Sequence, residues 1–197
     1  MKKNTRRKYL IPAVACLVVM AGIVYYYFFA SMAAGNETRY VYIDTDDTVD
    51  SVYTKLADVS SSNGMEGFKT LVRHSHYADN IRTGRYAIKP GEGAFTVFRH
   101  MKNGLQSPVS LTVPSVRALD RLAAELSKRL MVDSAAIYEA LSDEAICKKY
   151  GYDTATVAAL FIPNTYDIYW NVSVEKLLDR MKKENHNFWS GQREEKA

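Results

Sequence analysis

The sequence predicts an α+β fold carried on one membrane-spanning helix, and three patterns predict it. Residues Tyr9 to Asn36 carry no charge, and Leu10 to Ala30 form an apolar run behind a leader holding Lys2, Lys3, Arg6, Arg7 and Lys8. Short segments rich in β-formers recur at 39–43, 85–88 and 107–113, bounded by turn residues. Between and after them, apolar residues return at three- and four-residue spacing, as in helices with one buried face.

The 21 residues from Leu10 to Ala30, at ~1.5 Å rise, span ~32 Å, the thickness of a bilayer's hydrocarbon core. A helix satisfies its own backbone polar groups, which is the condition for crossing lipid. The leader cations (residues 1–8) favour a cytoplasmic N-terminus and an exterior bulk. Tyr25, Tyr26 and Tyr27 suit the outer interface, and Pro12 stands near the helix start. The alternatives are a cleaved signal peptide, for which Ala30-Ser31-Met32-Ala33 is a poor site, and a buried core helix.

The chain has 26 Lys+Arg against 22 Asp+Glu, a net charge of +4. The leader cations account for that excess, so the exterior part is near neutral and offers no basic face for nucleic acid. Cys16 falls inside the span and Cys147 stands alone outside it, so no internal disulfide is available. The exterior residues suffice for one ordinary domain or two small ones.

Arg39–Ile43 reads as a strand, followed by a helix capped by Asp46 and Asp47 with Val49, Val52, Tyr53 and Leu56 on one face. Ser60–Gly64 reads as a turn, then a helix from Met65 to about His76 buries Phe68, Leu71 and Val72. The strand Arg85–Ile88 follows, then a helix with Phe95, Phe98 and Met101 inward, stopped by Asn103-Gly104, and the strand Ser107–Val113. This β-α-α-β-α-β order suits one compact module. Beyond Pro114 the pattern is helical. Leu119, Leu122, Ala123, Leu126 and Leu130 form one stripe; Asp133 and Ser134 cap a helix burying Ile137 and Leu141; Ile146, Cys147 and Tyr150 mark another. Ser173 caps a last helix burying Val174, Leu177, Leu178 and Met181, with Phe188 and Trp189 extending that face. The polar 192–197 segment returns to no core, and the helical faces look short of partners, as if this were the opening of a larger domain.

Few residues suggest chemistry. His74 and His76 would diverge on a helix and lack a third ligand, so a solvated face is the plainer reading than a metal site. Ser-nucleophile and phosphate-loop motifs are missing, and Gly91-Glu92-Gly93 lacks the P-loop spacing. Asn171-Val172-Ser173 is a formal glycosylation triplet. The informative stretch is 161–170, Phe-Ile-Pro-Asn-Thr-Tyr-Asp-Ile-Tyr-Trp, which cannot be a long helix. Asn164, Tyr166, Asp167, Tyr169 and Trp170 could grip sugar hydroxyls and stack on pyranose rings. The plainer alternative is an aromatic corner sealing a core, with Asn164 and Asp167 as turn formers.

Several blocks resemble the endolytic murein transglycosylase (YceG-like) family. They are Leu-Thr-Val-Pro at 111–114, the leucine stripe after it, and Phe-Ile-Pro-Asn-Thr-Tyr-Asp at 161–167. Thr48–Val52 and Gly84–Gly91 resemble that family's LysM-like subdomain, and Ile-Pro-Asn-Thr-Tyr followed by Tyr-Trp-Asn suggests a Bacteroides-like branch. The resemblance implies a leader (1–8), a transmembrane helix (9–30), a LysM-like subdomain (36–111) and the first part of a transglycosylase domain (112–197), C-terminally truncated. It implies cleavage of nascent peptidoglycan strands to 1,6-anhydro-muramyl ends at the cell membrane, near synthases or division proteins, without metal or organic cofactor. A single acid does this work in such enzymes. The family's Glu position falls on Ala158, with Ala159 after it, and Asp167 is the nearest downstream carboxylate that could replace it. The resemblance thus predicts glycan contacts at Asn164, Tyr166, Tyr169 and Trp170 and doubtful activity. A non-catalytic glycan-binding tether or scaffold is the rival reading.

Overall fold

The computed structural model describes residues 3–190, with side chains from Leu10 onward. The leader's side chains, and the polar segment 192–197, lie outside the described residues. The chain divides into two compact units, Met1–Gln106 and Ser107–Ala197.

In the first unit, helix α1 (Lys3–Val24) passes into a wide π-helical turn over Tyr25–Phe29. Leu10–Phe29 is long and apolar enough to cross a membrane, and its span is not buried against protein. Because α1 begins at Lys3, Pro12 lies inside the helix rather than at its start. Strand β1 (Arg39–Ile43), helices α2 (Val49–Ala57) and α3 (Ser62–Arg73), strand β2 (Gly84–Ile88) and helix α4 (Ala94–Asn103) follow. β1 and β2 pair antiparallel from Arg39–Ile88 to Ile43–Gly84. Val41, Ile43, Tyr86 and Ile88 face a core completed by Val52, Leu56, Phe68 and Met101.

The cap of α2 is Thr48, not Asp46 or Asp47. Its Oγ1 accepts from Ser51 N at 3.3 Å, and Ser51 Oγ accepts from Thr48 N at 2.9 Å, a reciprocal box that satisfies the first turn. Asp47 instead receives Lys55 Nζ at 2.5 Å with its side chain only 6% exposed. α3 starts at Ser62, so the expected turn is the cap and first turn of the helix, with Ser61 as N-cap. On α4, Ala94, Val97, Phe98 and Met101 turn inward while Phe95 stays 43% exposed. A strict three-residue spacing drifts off a 3.6-residue helix, which is why Phe95 leaves the core face. Gly104, in the left-handed conformation at φ 70°, ends α4.

In the second unit, strand β3 (Val109–Val113) precedes helices α5 (Leu119–Ser127), α6 (Ser134–Ser142) and α7 (Glu144–Tyr150). A 3-10 turn (Val157–Leu160), strand β4 (Asn164–Ile168) and helix α8 (Val174–Trp189) complete it. β3 was expected to close the first module. It pairs with β4 instead, and the units divide at Gln106/Ser107, whereas the expected 111/112 boundary would cut β3 in two. Asp133 and Ser173 cap α6 and α8 as expected. The apolar faces of α5 to α8 do find partners: Leu122, Leu126, Ile137, Leu141, Leu177 and Met181 bury together under the two strands. Phe188 and Trp189 pack edge to face on one another, with Trp189 47% exposed, instead of extending that core.

Candidate functional site

The β3–β4 ladder gathers the candidate residues. Strand residues alternate between faces, so Val109, Leu111 and Val113 turn inward with Tyr166 and Ile168. Ser110, Thr112, Thr165 and Asp167 face outward. The register sets Ser110 opposite Asp167 and Thr112 opposite Thr165. Both pairs bond: Ser110 Oγ donates to Asp167 Oδ1 at 3.2 Å, and the two threonine hydroxyls lie 3.0 Å apart. The ladder thus has an apolar inner face and a row of hydroxyls ending in one carboxylate.

The five candidates from 161–170 separate accordingly. Asp167 is exposed on the outer face. Asn164 is exposed at the start of β4, and its Oδ1 accepts from Thr165 N at 2.8 Å. Tyr166 is a core residue. It is 6% exposed, its hydroxyl donates to Ile162 O at 2.7 Å, and burial foremost, with Glu184 adding, pushes the phenol's pKa up against the opposing Arg180. Trp170 packs partly buried against the same core, and its carbonyl accepts from Met131 N at 2.8 Å. Tyr169 is 55% exposed.

Two recesses flank the ladder at opposite ends. One, of about 390 Å³, is lined by Pro108, Asp167, Tyr169, Val172, Lys176 and Arg180, among others. It brings Asp167 and Tyr169 together and adds two cations from α8 that the sequence reading missed. Their signal was present, since Lys176 and Arg180 stand four apart on the polar face of an amphipathic helix. Arg180 Nε also holds Glu184 Oε1 at 2.8 Å.

The other recess, of about 430 Å³, lies beyond the Pro114–Pro163 end, with Ser115, Arg117, Ala158, Ala159 and Phe161 in its wall. No acidic residue lines it among the described residues. Its floor is fixed by the 3-10 turn. Thr156 N and Oγ1 both donate to Asp153 Oδ1, at 2.8 and 2.6 Å, holding that carboxyl below its usual range, and Asn185 Nδ2 donates to Ala159 O at 2.8 Å. Asp167 and Ala158 therefore address different recesses. Asp167 is three strand positions from Asn164, ~10 Å along β4.

Elsewhere, the two histidines are occupied locally. His74 Nδ1 lies 2.8 Å from Thr70 O at the end of α3, and His76 Nδ1 lies 3.2 Å from Asp79.

The model of the YceG-like family matches residues 41–197, and the chain belongs to that family. Among solved structures it is similar to a YceG-like protein of Listeria monocytogenes, at 19% identity and a TM-score of 0.39, over 82% of this chain. The chain spans 58% of the length of that protein. No protein of curated function matches it.

Proposed function

We propose that this chain is a membrane-anchored, murein transglycosylase-type protein that contacts nascent peptidoglycan strands through the recess at Asp167. One observation carries the reading: the two motif blocks, 111–114 and 161–167, meet in a single ladder whose one outward carboxylate opens on a recess with an exposed aromatic ring. Tyr169 offers a stacking face, Asn164 and the outward hydroxyls suit sugar hydroxyls, and Lys176 and Arg180 suit the carboxylates that murein carries. The β-α-α-β order of the first unit, with its antiparallel pair, supports a LysM-like glycan-binding role for the part of that unit beyond the membrane helix. The leader cations support a cytoplasmic N-terminus, with the bulk outside the cell membrane, beside synthases or division proteins. Ile-Pro-Asn-Thr-Tyr followed by Tyr-Trp-Asn favours the Bacteroides-like branch.

In this reading the Asp167 carboxyl gives its proton to the glycosidic oxygen as the bond to the anomeric carbon breaks. The muramyl 6-hydroxyl oxygen bonds to that carbon, and its proton returns to the Asp167 carboxylate. No water is consumed, and one carboxyl serves as acid and then base. Full-length protein in detergent, incubated with uncross-linked glycan, should yield 1,6-anhydro-muramyl ends detected by mass spectrometry. Strands that stay intact would overturn the enzymatic reading. Ala158 and Ala159, in the acid-free recess, favour a second reading, a glycan-binding tether, for which strand capture without new ends is the expected result.

A further inference from the structure

The first unit is joined to its helix by a docked neck instead of a loose linker. Met32 is fully buried, its N–H donating to Glu92 O at 2.8 Å and its carbonyl accepting from Ser61 N at 2.7 Å. Two glycines admit the wide turn. A Cβ on Gly67 of α3 would overlap the Tyr27 carbonyl, and one on Gly93, before α4, would overlap that of Phe28. Asn63 Nδ2 donates to Tyr26 O at 2.9 Å. Helix α3 and the start of α4 thus lie directly against Tyr26–Phe29.

Span length then fixes their depth. Leu10–Val24 supplies ~22 Å at ~1.5 Å per residue, short of the ~30 Å hydrocarbon core. Tyr25–Phe29 must make up the difference, so the residues packed on that turn sit where acyl chains give way to headgroups. The turn is built for this: one side meets the glycines, while Tyr25, Tyr26 and Phe29 remain 64, 55 and 53% exposed. Phe95, the α4 residue that leaves the core, is 43% exposed, with its ring centroid 6.0 Å from that of Phe29. Arg99, one turn further, is exposed and suited to lipid phosphate. Glu66, beside Gly67, is neutralised by Lys69 at 3.0 Å.

We infer that the first unit is seated on the bilayer, with Phe95 inserted at the headgroup–acyl boundary beside Phe29. The seating rests on α1 crossing the membrane. It makes the unit a fixed platform on the outer leaflet, because neither the neck nor the glycine contacts leave a free tether.

The test uses full-length protein in phosphatidylcholine vesicles whose acyl chains carry bromine near the headgroup end. Phe95→Trp and, separately, Val18→Trp are read as differences from the unsubstituted chain, which contributes Trp170 and Trp189. Vesicles brominated at the chain ends report on the deeper position. Emission from the indole placed at 95 should be blue-shifted and lost with shallow bromine, while that at 18 is lost with deep bromine. Quenching at 18 with water-like, unquenched emission at 95 would overturn the seating while leaving the span intact, and would mean that Phe95 faces water or another protein. Absence of quenching at both positions would overturn the span itself, and the seating with it.

Discussion

Adjacent residues on β4 should respond in opposite ways to substitution, because strand parity gives them opposite surroundings. Asp167→Asn keeps an oxygen that can accept from Ser110 Oγ and changes an exposed position, so stability should stay within ~0.5 kcal/mol. A carboxyl that both gives and takes the proton contributes ~10²–10⁴-fold, and anhydro-muramyl ends should fall by that factor. Tyr166→Phe removes the donor to Ile162 O at 2.7 Å from a side chain only 6% exposed. A lost hydrogen bond plus a half-covered orphan carbonyl should cost ~1–2 kcal/mol. In a domain of this size each kcal/mol lowers the melting temperature by about 4–8 °C. Product ends per unit of folded protein should be unchanged by Tyr166→Phe. The assay pairs thermal melting with mass-spectrometric counting of strand ends for both variants. Unaltered end formation by Asp167→Asn would refute Asp167 as the proton carrier. A Tyr166→Phe protein that melts normally but makes no ends would refute the parity argument itself.

Leu111, fully buried on β3, anchors the ladder's inner face, so Leu111→Ala should cost ~2–5 kcal/mol by chemical denaturation; a loss under 1 kcal/mol would place it outside the core. Burial alone would raise the Asp47 carboxyl, but hydrogen bonds from Lys55, Ser51 and Asp44 outweigh it and hold its pKa below the usual value. That stability is present above the unfolded pKa of ~3.9 and is lost as pH falls below it, so Asp47→Asn should flatten the acid limb of a stability–pH curve. Burial pushes the Tyr86 phenol up to about 12. Its contribution is complete below the unfolded value of ~10 and fades as pH rises toward 12; ultraviolet titration should show a late phenol missing in Tyr86→Phe. Ala158→Glu should not rescue Asp167→Asn, because the two positions line different recesses; restored end formation would move the reaction to the Ala158 recess.

Local signals were legible in the sequence. The Asp133 and Ser173 caps, the Gly104 stop and the leucine stripe of α5 depend on neighbours within a turn or two, and they appear where the sequence puts them. What failed was non-local. Thr165–Ile168 alternates like a strand, but Pro163 and the crowd of aromatics argued for a loop, and the partner that decides it is β3, more than 50 residues away. The same distance hid β3's membership of the second unit. The docking of the Ser31–Ala34 stretch has no local signal in the sequence, where Ala30–Ala33 reads only as a poor cleavage site. Only the notch left by Gly64, where a Cβ would come within 2.8 Å of Met32 Cα, makes room for the neck to dock. Lys176 and Arg180 line the Asp167 recess only because α8 runs past that end of the ladder, a placement no local pattern announces.

Parity on β4 also narrows what the 161–170 cluster can do. Seven polar and aromatic residues in ten appear interchangeable as sugar contacts in sequence, yet pleating commits Tyr166 and Ile168 to the core and Thr165 and Asp167 to the surface. Trp170 follows the strand into the core's edge, and Tyr169 stays outside. The outward-facing set is thus Thr165, Asp167 and Tyr169, with exposed Asn164 at the start of β4 and the hydroxyls of β3 across from them. Ser110 and Thr112, ~7 Å apart along β3, with Thr165 and Asp167 across from them, form a polar row that suits an extended polymer laid along the ladder better than a compact molecule held in one pocket. In the proposed reading, the carboxylate recess at Asp167 and the acid-free recess at Ala158 lie at opposite ends of this ladder, so a strand laid along it would be cut at the Asp167 end.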